Sequence, residues 1–178
     1  MSTEPDTSTL RLLNGILLVG GGLLAVDVFF PYVSAAGIVA VNGAELSALN
    51  PVFLCLCGAP HLGLGLLLVV SAGAALRALR AEDADDFSAG PAPLRGIGLL
   101  QVGVGLVLAI PVLGLLCSFL FLTGQLTAAL QAWRGPTGAV NALSLDFGFW
   151  LALLVMVLSL GTGLVNLRGQ NAADHDSI

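Results

Sequence analysis

The chain has 178 residues, 57% of them hydrophobic and only 10% charged, with a formal charge of −5 at neutral pH. A water-soluble domain carries about 25% charged residues, and a folded chain of this size needs a polar exterior that this composition does not supply, which argues against a soluble globular fold. Its six basic residues are all Arg and are outnumbered by acids, which argues against nucleic acid as a partner, since neutralising phosphates takes a basic patch.

Taken in chain order, residues 1–11 form a short polar tail with Glu4 and Asp6. The apolar run 12–30 is predicted to be a first membrane span, because about 20 such residues cross a hydrocarbon core roughly 30 Å thick. It is longer than the apolar region of a signal peptide, and its flank is acidic rather than basic. Residues 31–50 form an outer loop, in which Asn42-Gly43 between short apolar runs predicts the turn of a β-hairpin. A second span is predicted over 51–76, opened by Pro51 at a first helical position, where the missing N–H removes no bond. Residues 77–95 form an acidic loop containing Glu82, Asp83, Asp85 and Asp86.

The third span is predicted over 96–122. Pro60 and Pro111 are expected to kink spans two and three. A second outer loop, 123–146, carries Leu126, Ala129, Leu130 and Trp133 at helical spacing. This predicts a short interfacial helix over 123–133, stopped by Gly135-Pro136. The fourth span covers 147–167, and residues 168–178 form a tail. The fold class expected is therefore an all-α integral membrane protein: one four-helix bundle with a small ordered outer cap.

Arg11, Arg77, Arg80, Arg95 and Arg168 flank one set of span ends, and only Arg134 lies between spans three and four. By the positive-inside bias, both termini and the 77–95 loop are cytoplasmic. The aromatics fall on the other side: Phe29, Phe30, Tyr32, Phe53, Phe119, Phe121, Trp133, Phe147, Phe149 and Trp150 cluster near the outer helix ends, with only Phe87 on the arginine side. Phe29, Phe30, Tyr32, Phe119, Phe121, Trp133 and Trp150 are the expected contacts to lipid or to a partner. Membrane helices associate through small residues, and Gly21/Ala25, Ser71/Ala75 and Gly105/Ala109 have that spacing. Leu-Arg pairs at 10–11, 79–80, 94–95 and 167–168 are compatible with an internal duplication, each half being span, loop and span.

Ionisable residues inside a span are expensive and invite a functional hypothesis. His61, ten residues beyond Pro51, is expected about 15 Å into the membrane at 1.5 Å per residue, near the midplane. A neutral imidazole there would ligate a haem or chlorophyll-type metal, relay a proton, or hydrogen-bond a neighbouring helix. Asp27 lies in the outer third of span one, set to reach the interface or cap the outer loop, or else to pair with Arg134 or bind a cation; its depth differs from that expected for His61. Asp146 reads as a helix N-terminal acid. Gln101 and Asn14, near the cytoplasmic ends, are expected to hydrogen-bond between helices. Cys55, Cys57 and Cys117 read as buried apolar thiols. The first two point about 200° apart on a helix, which leaves a Cys57–Cys117 bridge conceivable. No phosphate-binding loop, metal-ligand cluster or nucleophile–base arrangement stands out.

Four spans with ordered outer loops are similar in plan to tetraspan proteins such as claudins. The claudin first-loop pattern, Gly-Leu-Trp with paired cysteines, is absent, since 30–50 contains no Trp and no Cys. No residue role is carried over. The expectation is a non-enzymatic multi-pass protein of a prokaryotic plasma membrane, an accessory or structural subunit that meets lipids and other membrane subunits or its own copies. The alternatives are a cofactor- or lipid-binding protein using His61, and a small transporter or channel component with Asp27 and His61 on its path.

Overall fold

The computed structural model describes residues 6–35, 39–49, 51–83, 94–134 and 143–175. Helices make up about nine-tenths of these. Four of them are long and apolar enough to cross a membrane: Thr7–Phe29, Pro51–Ala81, Leu94–Gln125 and Phe147–Arg168.

Helix α1 (Thr7–Val26) is started by Asp6, whose carboxylate accepts from the Ser8 amide and hydroxyl. These bonds, the side-chain one first, hold the Asp6 carboxyl below its usual range. The sign follows: the cap supports the helix at neutral pH, and its contribution disappears as pH falls through that lowered value. The protection of the Ser8 and Thr9 amides, taken as their exchange rate relative to an unstructured peptide at the same pH, is expected to fall in that acid range in the native chain and to be low throughout in Asp6→Ala. After α1, a 3₁₀ turn (Asp27–Phe29) leads into β1 (Pro31–Ala35), then β2 (Val39–Asn42) and the short helix α2 (Gly43–Leu49).

The hairpin is formed, but its turn is not Asn42-Gly43. β1 and β2 pair antiparallel with Ala35 opposite Val39 and Pro31 opposite Asn42, so Asn42 stands at the end of the pair away from their connection. Asn42 instead caps α2: its side-chain oxygen accepts from the Glu45 amide at 2.8 Å, and the Glu45 carboxylate accepts from the Asn42 amide at 3.0 Å. This is a reciprocal capping box. β1 is the central strand, with β3 (Leu143–Leu145) on its other edge, and Ser34 meets Ser144 across that pair at 2.7 Å.

The second span opens with α3 (Pro51–Phe53), widens into a π turn over Leu54–Gly58, and continues as α4 (Ala59–Asp83). The wide turn sits one step before Pro60, whose ring displaces the preceding turn of an α-helix. Helix α5 (Leu94–Arg134) is a single helix of 41 residues with Pro111 inside it. The separate interfacial helix expected over 123–133 is therefore corrected: that stretch prolongs the third span. Helix α6 (Phe147–His175) completes the bundle. The acidic loop from residue 84, Phe87, Gly135-Pro136, and the side chains of Cys57, Trp133 and Arg134 lie outside the described residues.

α1 packs mainly on α4, and α5 mainly on α6. Both pairs close on glycine. A β-carbon placed on Gly65 would lie 2.6 Å from the Gly21 carbonyl oxygen, and one on Gly98 would lie 2.8 Å from the Gly163 carbonyl oxygen. The core contains Leu17, Leu24, Leu68, Leu108, Val112 and Val155, while Leu10, Ala75, Leu79 and Leu94 close the end opposite the sheet. Outside, Leu12, Val19, Val70, Ile110, Leu154 and Val157 are exposed. This apolar exterior suits lipid and not water.

Candidate functional site

Under the sheet, three buried polar side chains converge. Asp27 ends the first span, His61 lies one turn past the π bulge, and Tyr32 is lowered from β1, at the point where the strand register slips between Pro31 and Val33. Such bulges re-aim a side chain. All three are sealed, with relative exposures of 0%, 0% and 1%. The Tyr32 hydroxyl lies 2.6 Å from Asp27 Oδ2 and 2.7 Å from His61 Nδ1, and His61 Nδ1 lies 2.9 Å from the same Asp27 oxygen. Gly43 and Gly148 line the Tyr32 ring so closely that a β-carbon on either would lie 3.1 Å or 2.8 Å from it.

Two proton arrangements satisfy this triangle. In the first, Nδ1–H and the tyrosine hydroxyl both donate to Oδ2, and the neutral ring leaves Nε2 as a bare acceptor. In the second the ring carries both protons and forms an ion pair with the carboxylate. In both, His61 Nε2 and Asp27 Oδ1 have no partner among the described residues.

A carboxylate on Nδ1 is the usual way of orienting an imidazole whose Nε2 meets a metal or a proton. A macrocycle finds no opening among the described residues, however: Nε2 is sealed, and His61 lines none of the three cavities that they form beside the core and on the surface. Nor do the described residues gather three metal-ligating side chains.

His61 lies beneath the cap and not midway along its span. From Pro51 to Ala81 that span has 31 residues, roughly 46 Å of helix against a core of about 30 Å. Its midpoint is therefore five residues beyond the histidine. The doubt raised by unequal depths of Asp27 and His61 is removed by their direct contact.

A second polar cluster lies toward the arginine end. Gln101 donates to Asn14 Oδ1 at 3.0 Å, Asn166 donates to Gln101 Oε1 at 2.7 Å, and Asn14 donates to Asn166 Oδ1 at 3.2 Å. This ring of three amides joins α1, α5 and α6. Ser159 adds a bond to the Gln101 carbonyl at 2.7 Å. Replacing Gln101 with Leu strips a partner from both asparagines. Its expected cost is about 1–3 kcal/mol, above the roughly 0.6 kcal/mol average for a membrane side-chain hydrogen bond, as measured by unfolding in mixed detergent micelles.

The other expected site residues fall into two groups. Phe29, Phe121, Phe147 and Trp150 are exposed on the apolar surface near the cap, and Phe30 and Phe119 are half-buried. Phe30 meets Phe147 edge-on at 5.3 Å. Tyr32, expected as an outward contact, is instead internal. Asp146 caps α6: its side chain accepts from the Phe147 amide, and its carbonyl accepts from Phe149 and Trp150. Cys55 and Cys117 are free thiols facing outward, not buried, while the Cys57 side chain lies outside the described residues.

Sequence reasoning overlooked Asn166, Ser159 and Thr162. Their spacing, with Gly163, places them on one face of α6, which was the available signal. Comparison with protein families, curated proteins and solved structures finds no match for this chain.

Proposed function

We infer that the chain is a non-enzymatic membrane subunit with a structural or accessory role, set in a plasma membrane with its arginine end cytoplasmic and its capped end outside. The observation that carries this reading is the use made of the interior polar groups. Asn14, Gln101 and Asn166 bond to one another, and Asp27 and His61 bond to a strand of the cap. Among the described residues, these intramembrane polar groups hold elements together. The exposed aromatics Phe29, Phe121, Phe147 and Trp150 concentrate near the cap, the kind of residue that anchors interfaces.

Solubilising native membranes in mild detergent tests this. The expected result is a complex larger than one chain, lost when Phe121 and Trp150 are replaced by Ser. A lone monomer before and after cross-linking overturns it. Tags on both termini, read out by protease protection, are expected on the cytoplasmic face.

A second reading, proton transfer, is favoured by one observation: the sealed, unpartnered Nε2 of His61. Proton flux into liposomes that vanishes in both His61→Ala and Asp27→Asn supports it, and flux equal to that of empty vesicles dismisses it.

A further inference from the structure

Between the cap and α5 lies a cavity of about 100 Å³. Tyr32 and Leu145 wall it from the sheet, Leu115 and Phe119 from α5, Phe53 from α3 and Phe149 from α6. The surface these walls present is carbon throughout, so a water there finds none of the two to four polar partners it needs. Apolar cavities of this scale stay dry and accept apolar guests; an engineered one of about 150 Å³ takes benzene or xenon. A void in a core ordinarily shrinks, because its walls relax inward as far as their neighbours let them. Here one wall is pinned. The Tyr32 hydroxyl is held 2.6 Å from Asp27 and 2.7 Å from His61. Swinging the ring into the cavity would carry that hydroxyl to a place where the walls offer it no acceptor, which is costly. The strand that bears the ring is bonded on both sides, to β2 and to β3. The space is therefore preformed, as small-molecule sites usually are.

Four of the ten lining residues are aromatic, against 6% of the chain, and aromatic side chains favour edge-to-face or offset contact with a further ring. The volume, smaller than that of the engineered cavity that takes benzene, limits the guest to a single ring. The way in is apolar as well. A furrow on the outside shares Phe53, Ser118 and Leu122 with the cavity and is flanked by the exposed Val52 and Phe121. We propose that the cavity binds a small uncharged aromatic molecule of one ring, and that the Asp27–His61–Tyr32 cluster holds it open. The cluster then has a task beyond fastening the cap: it fixes a wall of the site in advance, so that binding does not have to order it.

The test is methyl NMR of the full chain in detergent micelles, with Leu and Val methyls labelled and benzene as the probe. The methyls of Val33, Leu115 and Leu145 are expected to shift saturably on titration. Those of Val70 and Val157, on the exterior, are expected only to drift in proportion to the benzene dissolved in the micelle. Naphthalene, with two fused rings, is expected to leave the cavity methyls unmoved. Ser118→Leu adds bulk where cavity and furrow meet and is expected to abolish the saturable response. Tyr32→Phe keeps the ring but cuts its tether, and is expected to weaken binding by about tenfold, the worth of one hydrogen bond. Cavity methyls that merely drift like the exterior ones overturn the proposal, as does a saturable response that survives Ser118→Leu. Benzene binding undiminished in Tyr32→Phe overturns the part given to the cluster. Magnetisation transfer from the cavity methyls to water or to detergent chains before benzene is added would identify another occupant and overturn the site.

Discussion

Asp27→Ala is expected to destabilise the protein by about 1–3 kcal/mol, because it removes the buried acceptor shared by the Tyr32 hydroxyl and His61 Nδ1 and leaves those two groups only each other. The Tyr32 hydroxyl and His61 Nδ1 both lose the oxygen they share, in a place water does not reach. The damage is expected to begin at the cap. Trp150 reports on it, since its ring lies 5.3 Å from Phe149 and its indole nitrogen donates to the Leu145 carbonyl. In a Trp133→Phe background, the Trp150 emission of Asp27→Ala should shift at a lower denaturant concentration than loss of helical circular dichroism. Replacing Asp27 and His61 together by Leu should return most of the stability, because well-packed apolar groups often equal a buried ion pair. A cost below about 1 kcal/mol for Asp27→Ala, the worth of an ordinary hydrogen bond, would show that the cluster does not secure the cap.

Gly65→Ala is the second large effect. The added carbon meets the Gly21 carbonyl oxygen at 2.6 Å and the Ala25 nitrogen at 2.7 Å, and both are backbone atoms that cannot rotate aside. α1 and α4 must separate, and overpacking of this kind costs about 1–3 kcal/mol and occasionally more. The separation also strains the cluster above it, because Asp27 and His61 belong to those same two spans. Gly63→Ala, two residues earlier on the exposed face, meets nothing within 4 Å. There the substitution is expected to stabilise the helix by up to about 1 kcal/mol through propensity alone. Opposite signs for two identical changes on one helix, read as unfolding midpoints in the same detergent, make the check independent of the general effect of alanine. Equal effects would place the close contact elsewhere.

These contrasts mark what the sequence discloses. The four spans follow from length and apolar composition, and the structure has helices at all four places. Gly21, four residues before Ala25, is visible as a packing signal, and Gly65 stands in the second span. That they face each other depends on the rotation of two helices, which uniform hydrophobicity does not encode. The cap misled for a local reason. Asn42-Gly43 carries a hairpin bias, yet Glu45 three residues after Asn42 also spells a helix start, and the helix prevailed because both bonds of the capping box form. Residues 123–133 have the period of a helix lying on a surface. No strong breaker separates them from the third span, and Gly124 alone costs a helix only about 1 kcal/mol, so the helix continues. In the site, Asp27 and His61 stood out as charges in an oily run. Tyr32 did not, because an aromatic at a span end ordinarily marks the membrane boundary. A buried tyrosine needs a partner for its hydroxyl, and Asp27, five residues earlier, was the nearest one in sequence.

The order of strands bears on how the protein is made. β1 sits between β2, which follows it at once, and β3, which emerges only after the long α5. During synthesis the first hairpin of spans is complete while one edge of its central strand still shows unpaired amides and carbonyls. That edge stays open until more than a hundred further residues have been threaded into the bilayer (Ala35 pairs with Leu143). A nascent chain stalled before residue 143 thus carries a sticky margin at its capped end, available to a chaperone or to a second unfinished copy.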